Sequence, residues 1–186
     1  ELLDQLTAKP REANASLTEM NATLQLRLAS LEKLVRDTQV QLIAKQLVEV
    51  LEPEEPEIDL FYAGVLISKL DNPEIDAEAY REILDRWGDE IRSALGEETG
   101  EKEVVAGVRK FMFEENGFHG SRLDYNNESN SYLNEVIDDR EGIPITLSVV
   151  FMELARRAGA KTVYGIGFPG KFFVGYEPDE GVQHLV

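Results

Sequence analysis

The chain has no cysteine, which rules out disulfides, thiolate metal sites and thiol catalysis and leaves hydroxyls with a lysine as a substitute pair to weigh. Thr146 and Ser148 follow Gly142-Ile-Pro144, a break at which a new helix can start with its free backbone N–H groups. Lys171 follows Pro169-Gly170 and would serve as a base if burial lowered its pKa. A hydroxyl paired with a lysine is a known convergent solution for hydrolysis or acyl transfer. Against it, Ser148 falls more than one turn into the expected helix, away from the free N–H groups. A helical serine and a surface lysine is the simpler account.

His119 and His184 could join Asp124 or Glu177 around a metal, but no i, i+4 histidine pair exists, and neither metal nor cofactor is expected. His184 is expected on a strand opposite Lys171, lining the same cleft. Asn130, Asn134 and Arg140 either cap helices and tie down the loop at 119–129, or form a polar pocket. The candidate binding set is therefore Asn130, Asn134, Arg140, Lys171 and His184. Gly165-Ile-Gly-Phe-Pro-Gly170-Lys171 matches the start of a P-loop and fails as one. Phe172 stands where Mg²⁺ needs a hydroxyl, and Pro169 removes an N–H donor.

The elements that must position these residues are legible from hydrophobic spacing. Leu17, Met20, Leu24, Leu28, Leu31, Val35 and Leu42 form a helical stripe within a run at 15–51 free of Gly and Pro. Asn14 or Ser16 is its expected N-cap, with Glu19 completing a capping box, after a loose lead-in at 1–13. The heptad breaks at Arg27 and Gln41, yet the arm at 14–51 suits homo-oligomerisation. Glu52-Pro-Glu-Glu-Pro-Glu57 is a stiff acidic linker. Residues 58–117 read as a helical layer, closed by Gly117 in a left-handed C-cap. A helix over Ser131 to Arg140 is expected, capped by Asn130 or Ser129. After it, Leu147, Val150, Phe151, Leu154 and Ala155 mark a buried central helix ended by Gly159, with Arg156 and Arg157 favourable to its dipole. Strands follow at 162–168 and 172–176, then a turn at Pro178-Asp-Glu-Gly181 into residues 182–186. A buried helix followed by an antiparallel meander is an α+β pattern.

Several pieces in order resemble the SirB-type branch of the transglutaminase-like superfamily. They are Phe118-x-Gly120, Asp124-Tyr125, Asn130-Ser-Tyr-Leu-Asn134, Arg140-x-Gly-Ile-Pro-Ile145, Leu147-Ser148, Ala155-Arg-Arg157 and Gly165-x-Gly-Phe-Pro-Gly170. The resemblance covers roughly residues 58–186 and implies a papain-like scaffold with a Cys-His-Asp triad. In such a scaffold the thiol sits at the start of the central helix, where the dipole stabilises the thiolate. Here that position falls near Pro144, and the histidine position is Lys171. The orienting acid should fall just past Val186.

The expected architecture is α+β: a helical arm at 1–51, the linker at 52–57, the helical layer at 58–117, and a truncated transglutaminase-like half at 118–186. The expected function is a non-catalytic protein- or peptide-interaction module. The alternative is a hydrolase or acyltransferase using Ser148 or Thr146 with Lys171. A net charge of −17 disfavours nucleic acid and anionic membranes as partners. The chain opens on Glu1 and stops in an apolar run at 183–186, which suggests a fragment at both ends. The compartment is unassigned, with the cytoplasm as the default.

Overall fold

A computed structural model of the protein describes residues 9–96, 99–121, 127–179 and 182–186. The chain divides into two compact units after Leu42. In the first, Pro10 opens α1 (Pro10–Leu51, 42 residues), since the missing N–H of proline is harmless in a first turn. Asn14 and Ser16 therefore lie inside the helix, and neither caps it as expected. Within α1 the hydroxyls of Thr18, Thr23, Ser30 and Thr38 each donate to the carbonyl four residues back, so they do not compete with the helix.

The second unit begins at Ile43, so the last turns of α1 belong to it. There Ile43 is 3% exposed and joins the main core. A 3-10 turn, Glu55–Glu57, follows. Helix α2 (Leu60–Ser68) is apolar on most sides and buries Phe61, Val65 and Leu66; Asp59 caps it, accepting the Tyr62 N–H at 2.8 Å. Asp76 caps α3 (Ala77–Leu95) in the same way through Ala79, and Gly96 ends that helix at φ 92°. Helix α4 (Glu101–Arg109) continues into a π-helical turn, Lys110–Glu115, and Gly117 stops it at φ 69°, the left-handed conformation expected there.

The second half opens with β1 (His119–Gly120), which pairs in parallel with β2 (Glu141–Gly142). Between them lie a 3-10 turn, Glu128–Ser131, and helix α5 (Leu133–Asp139). The helix expected from Ser131 is thus shorter, and neither Asn130 nor Ser129 caps it, because both are spent in the turn before it. Arg140 ends α5 at φ 61°. Helix α6 (Pro144–Ala158) is central, burying Val150, Phe151, Met152, Leu154 and Ala155. It packs on α2, α3, α4 and α5 and on the sheet. That sheet is antiparallel in the order β3 (Tyr164–Phe168), β4 (Lys171–Asp179), β5 (Val182–Leu185). Strand β4 runs through Pro178 to Asp179, beyond the expected end at Tyr176; of the expected turn, residues 180–181 lie outside the described residues. The architecture is α+β, a helical layer followed by small sheets.

One polar side chain is placed where the helical core should be apolar. Glu153 on α6 is 2% exposed. It accepts from Arg156 at 2.8 Å and from Arg157 at 2.5 Å, and from the Leu60 N–H at 3.3 Å. Arg157 also donates to Asp59 at 2.5 Å and to Asp85 at 2.7 Å, joining α6 to α2 and α3. Gly88 permits this approach: a Cβ there would sit 2.4 Å from the Arg157 Cβ. Burial, then the nearby Asp59, raises the Glu153 carboxyl pKa, while Arg157 and Arg156 pull it down. Burial lowers the Arg157 pKa, but Asp59, Asp85 and Glu153 outweigh it and hold it raised. The Arg157 guanidinium thus satisfies three carboxylates at once.

Arg157→Met leaves Glu153 buried beside Asp59 with one cation fewer, and is expected to cost about 3–5 kcal/mol at neutral pH in urea unfolding. Because the folded-state pKa of Glu153 is raised, the folded protein binds its proton more readily than the unfolded chain as pH falls. The deficit of the variant relative to the parent should therefore shrink below neutrality. A deficit that stays constant on acidification would show that Glu153 is not the group left uncompensated.

Candidate functional site

The N-terminus of α6 is where a nucleophile of this fold would gain most from the helix dipole. Pro144 occupies its first turn, exposed and without a reactive atom. Thr146 stands in the same turn but is 7% exposed, and its hydroxyl is committed. Thr146 Oγ1 accepts the Ile143 N–H at 3.1 Å and donates to the Asn130 carbonyl at 2.9 Å. The first bond is half of a capping box; the second fastens α6 to the 3-10 turn. Gly142 leaves room for it, since a Cβ there would lie 2.8 Å from Thr146 Oγ1. Thr146 is thus a structural tie.

Ser148 is half-buried, on the wall of a small pocket of about 100 Å³ with Phe113, Phe151, Phe172 and Val174. Lys171 is not among the residues lining it. Among the described residues, neither Thr146 nor Ser148 has a basic side chain as hydrogen-bond partner. Lys171 is exposed at the start of β4, opposite Phe168. His184 is opposite Tyr176, its ring 5.3 Å from the tyrosine ring. Lys171 and Tyr176 are five residues apart on β4, about 17 Å along a strand and on opposite faces. Register therefore separates Lys171 from His184, which were expected to share a cleft. His119 lies on β1, with Nδ1 3.1 Å from the Gly120 carbonyl; Asp124, its possible metal partner, lies outside the described residues. Among the described residues no group of three or more acidic or histidine side chains is placed to hold a metal ion. Nor is any helix there long and apolar enough to cross a membrane.

Arg140 is explained by packing. Its guanidinium lies 4.6 Å from the Trp87 ring centre and 4.8 Å from that of Phe118, and it donates to the Ile137 carbonyl. Burial lowers its pKa, and stacking on two aromatic faces offsets part of that desolvation. Asn130 is 5% exposed and serves through its backbone carbonyl, as described.

Asn134 is different. It is 3% exposed, donates to Glu135 at 2.8 Å, and leaves its Oδ1 buried without a partner. It lines an open cleft of about 560 Å³ together with Asp71, Glu128, Tyr132 and Glu135. Ser68, Asn72, Ile75 and Ser129 complete the described wall, and no lysine, arginine or histidine is among the described residues that border the cleft. Tyr132 donates to Asp71 at 2.5 Å, and that hydrogen bond, with burial second, raises the phenol pKa.

Residues 78–186 match the family model of the transglutaminase-like superfamily. This chain belongs to that superfamily. The superfamily member is 32% identical over 129 residues to a UPF0162 protein of Xylella fastidiosa, covering 69% of this chain and 46% of that protein. A UPF0162 protein of Vibrio cholerae is 29% identical over 117 residues, 63% of this chain and 43% of its own length. F-box only protein 21 of Mus musculus is 30% identical over 74 residues, 40% of this chain and 12% of that protein. The chain thus spans less than half of these relatives. No solved structure gives a significant match.

In this member of the superfamily, the triad's thiol is absent and the start of α6 is rebuilt as a hydrogen-bonded joint. Sequence reasoning missed the carboxylates of the cleft, Asp71, Glu128 and Glu135, because they come from segments far apart in the chain. Their acidity alone gave no signal among 36 acidic residues.

Thr146→Val keeps the shape and removes the hydroxyl, leaving the Ile143 N–H only its long 3.5 Å contact with the Asn130 carbonyl. It is expected to cost about 1–3 kcal/mol in thermal or urea unfolding. A serine-reactive fluorophosphonate should label neither Thr146 nor Ser148. Labelling of either at a rate above that of free serine would restore a nucleophile to the site.

Proposed function

We propose that this chain is a non-catalytic member of the SirB-type branch of the superfamily, holding a protein or peptide segment that carries cationic side chains. The observation that supports this most directly is the cleft at Asn134. Among the described residues three carboxylates and no basic side chain border it, and its volume of about 560 Å³ suits part of an extended peptide. A net charge of −17 favours encounter with a basic partner and disfavours polyphosphates. An acyl-transfer role lacks support from the helix start, where Pro144 is inert, Thr146 is engaged in structure and Ser148 faces apolar side chains.

Fluorescence anisotropy with a labelled lysine- and arginine-rich octapeptide tests the reading. Binding is expected to weaken as salt rises, and an acidic octapeptide should not bind. Neutralising the cleft with Asp71→Asn, Glu128→Gln and Glu135→Gln together should weaken binding by about tenfold or more. Neutralising Glu78, Asp89 and Glu90 on exposed faces of α3 removes the same charge elsewhere and should change it little. Equal losses in the two triple variants would reduce the effect to bulk charge and dismiss the cleft as a site.

A further inference from the structure

Helix α1 carries an apolar stripe that its own chain leaves uncovered. Leu17, Met20, Leu24, Leu28, Leu31, Val35 and Leu42 are each 51–60% exposed. At 3.6 residues per turn all seven fall within an arc of about 100°. From Leu17 to Val35 the steps run 3, 4, 4, 3, 4, and Leu42 follows Leu31 by 11, so the unit is an 11-residue repeat rather than a broken heptad. In that repeat Arg27 stands beside the stripe, not within it, which removes the interruption that a heptad reading places there. Leu26, Leu34 and Val40 are also exposed but lie off the stripe.

The occupant follows from charge. Residues 9–51 carry six basic and five acidic side chains, in a chain whose net charge is −17. Two copies can therefore bring these segments together without the repulsion that their acidic remainders would meet. Arg27 and Glu32, both exposed, flank the stripe on opposite sides and five residues apart. In a parallel helix pair opposite flanks meet, so Arg27 of each copy faces Glu32 of the other. In an antiparallel pair like flanks meet, and both charges lose their counterpart.

We propose that residues 17–35 pair two copies of this chain as a parallel two-stranded coiled coil with an 11-residue repeat. Leu17, Met20, Leu24, Leu28, Leu31 and Val35 each face their counterpart, and two Arg27–Glu32 pairs fix the direction. The inference is independent of the acidic cleft, which plays no part in it.

Sedimentation equilibrium of the full chain over a range up to about 100 µM, where a weak coil of this length would populate, should show a reversible dimer. Leu24→Glu with Leu31→Glu should return it to monomer, while the far-UV circular dichroism of the second unit's melt is kept. Arg27→Glu alone should weaken the dimer, and adding Glu32→Arg should restore it. Because the chain lacks cysteine, Leu17→Cys gives a single reporter thiol. It should oxidise to a covalent dimer by itself, as residue 17 faces residue 17 only in a parallel pair that overlays the stripe. In the antiparallel pairings that overlay the stripe, residue 17 faces residue 31 or residue 42, with the thiols about 21 Å or more apart along the axis. A monomer throughout the range overturns the proposal, as does a dimer indifferent to the glutamates. Crosslinking only when Leu17→Cys is mixed with Leu31→Cys or with Leu42→Cys overturns the parallel direction.

Discussion

The Glu153–Arg157 pair, with Asp59 and Asp85 around it, is the constraint on which the second unit depends. A carboxylate that is 2% exposed is costly to hold in a helical core. It persists because Arg157 reaches α2 through Asp59 and α3 through Asp85 from one position on α6. The cost of the buried charge is thereby converted into a fixed crossing of three helices. Gly88 then has a steric reason, since any side chain there would collide with Arg157. Asp59 serves twice: one oxygen caps α2 and the other binds Arg157. A substitution at any member reaches both the start of α2 and the seating of α6.

Glu101 plays a similar part just beyond the same C-terminal end of α6. Its carboxylate accepts from the backbone of Lys161 and Thr162 and from the Thr162 hydroxyl, which in turn accepts the Glu177 N–H of β4. An acidic residue in the first turn of α4 therefore holds both its own helix start and the corner from which the sheet begins. The helical layer and the sheet are joined by hydrogen bonds to backbone as well as by apolar contact.

The start of α6 needs a tie between the Ile143 N–H and the turn at Asn130. Thr146 answers that need by binding the Ile143 N–H and the Asn130 carbonyl at once. The same residue type that looked like a substitute nucleophile is instead what closes the joint. The polar surface that remains open lies at the cleft of Asp71, Glu128, Asn134 and Glu135. The α+β arrangement of this superfamily member thus carries a central helix whose first turn is tied down by hydrogen bonds.

The α+β order, the central helix over Leu147–Ala155, the stops at Gly117 and Gly159 and the exposed stripe of α1 were all legible in the sequence, because local spacing and glycine conformation dictate them. The start of α1 at Pro10 and the length of β4 through Pro178 were misplaced, since helix and strand ends depend on competing local signals of similar strength. For the candidate site, composition and motif spacing sufficed to remove the thiol and to place Lys171 where a histidine was expected. Only the tertiary structure decided that His184 sits opposite Tyr176 rather than Lys171, for strand register is set by pairing across the sheet. It also decided that Arg140 stacks on Trp87 and Phe118, that Arg157 binds acids from two other helices, and that Asp71 and Glu128 share a wall. The sequence determined what could form locally; which distant charges met was decided by packing, because their partners are separated by up to 98 residues along the chain.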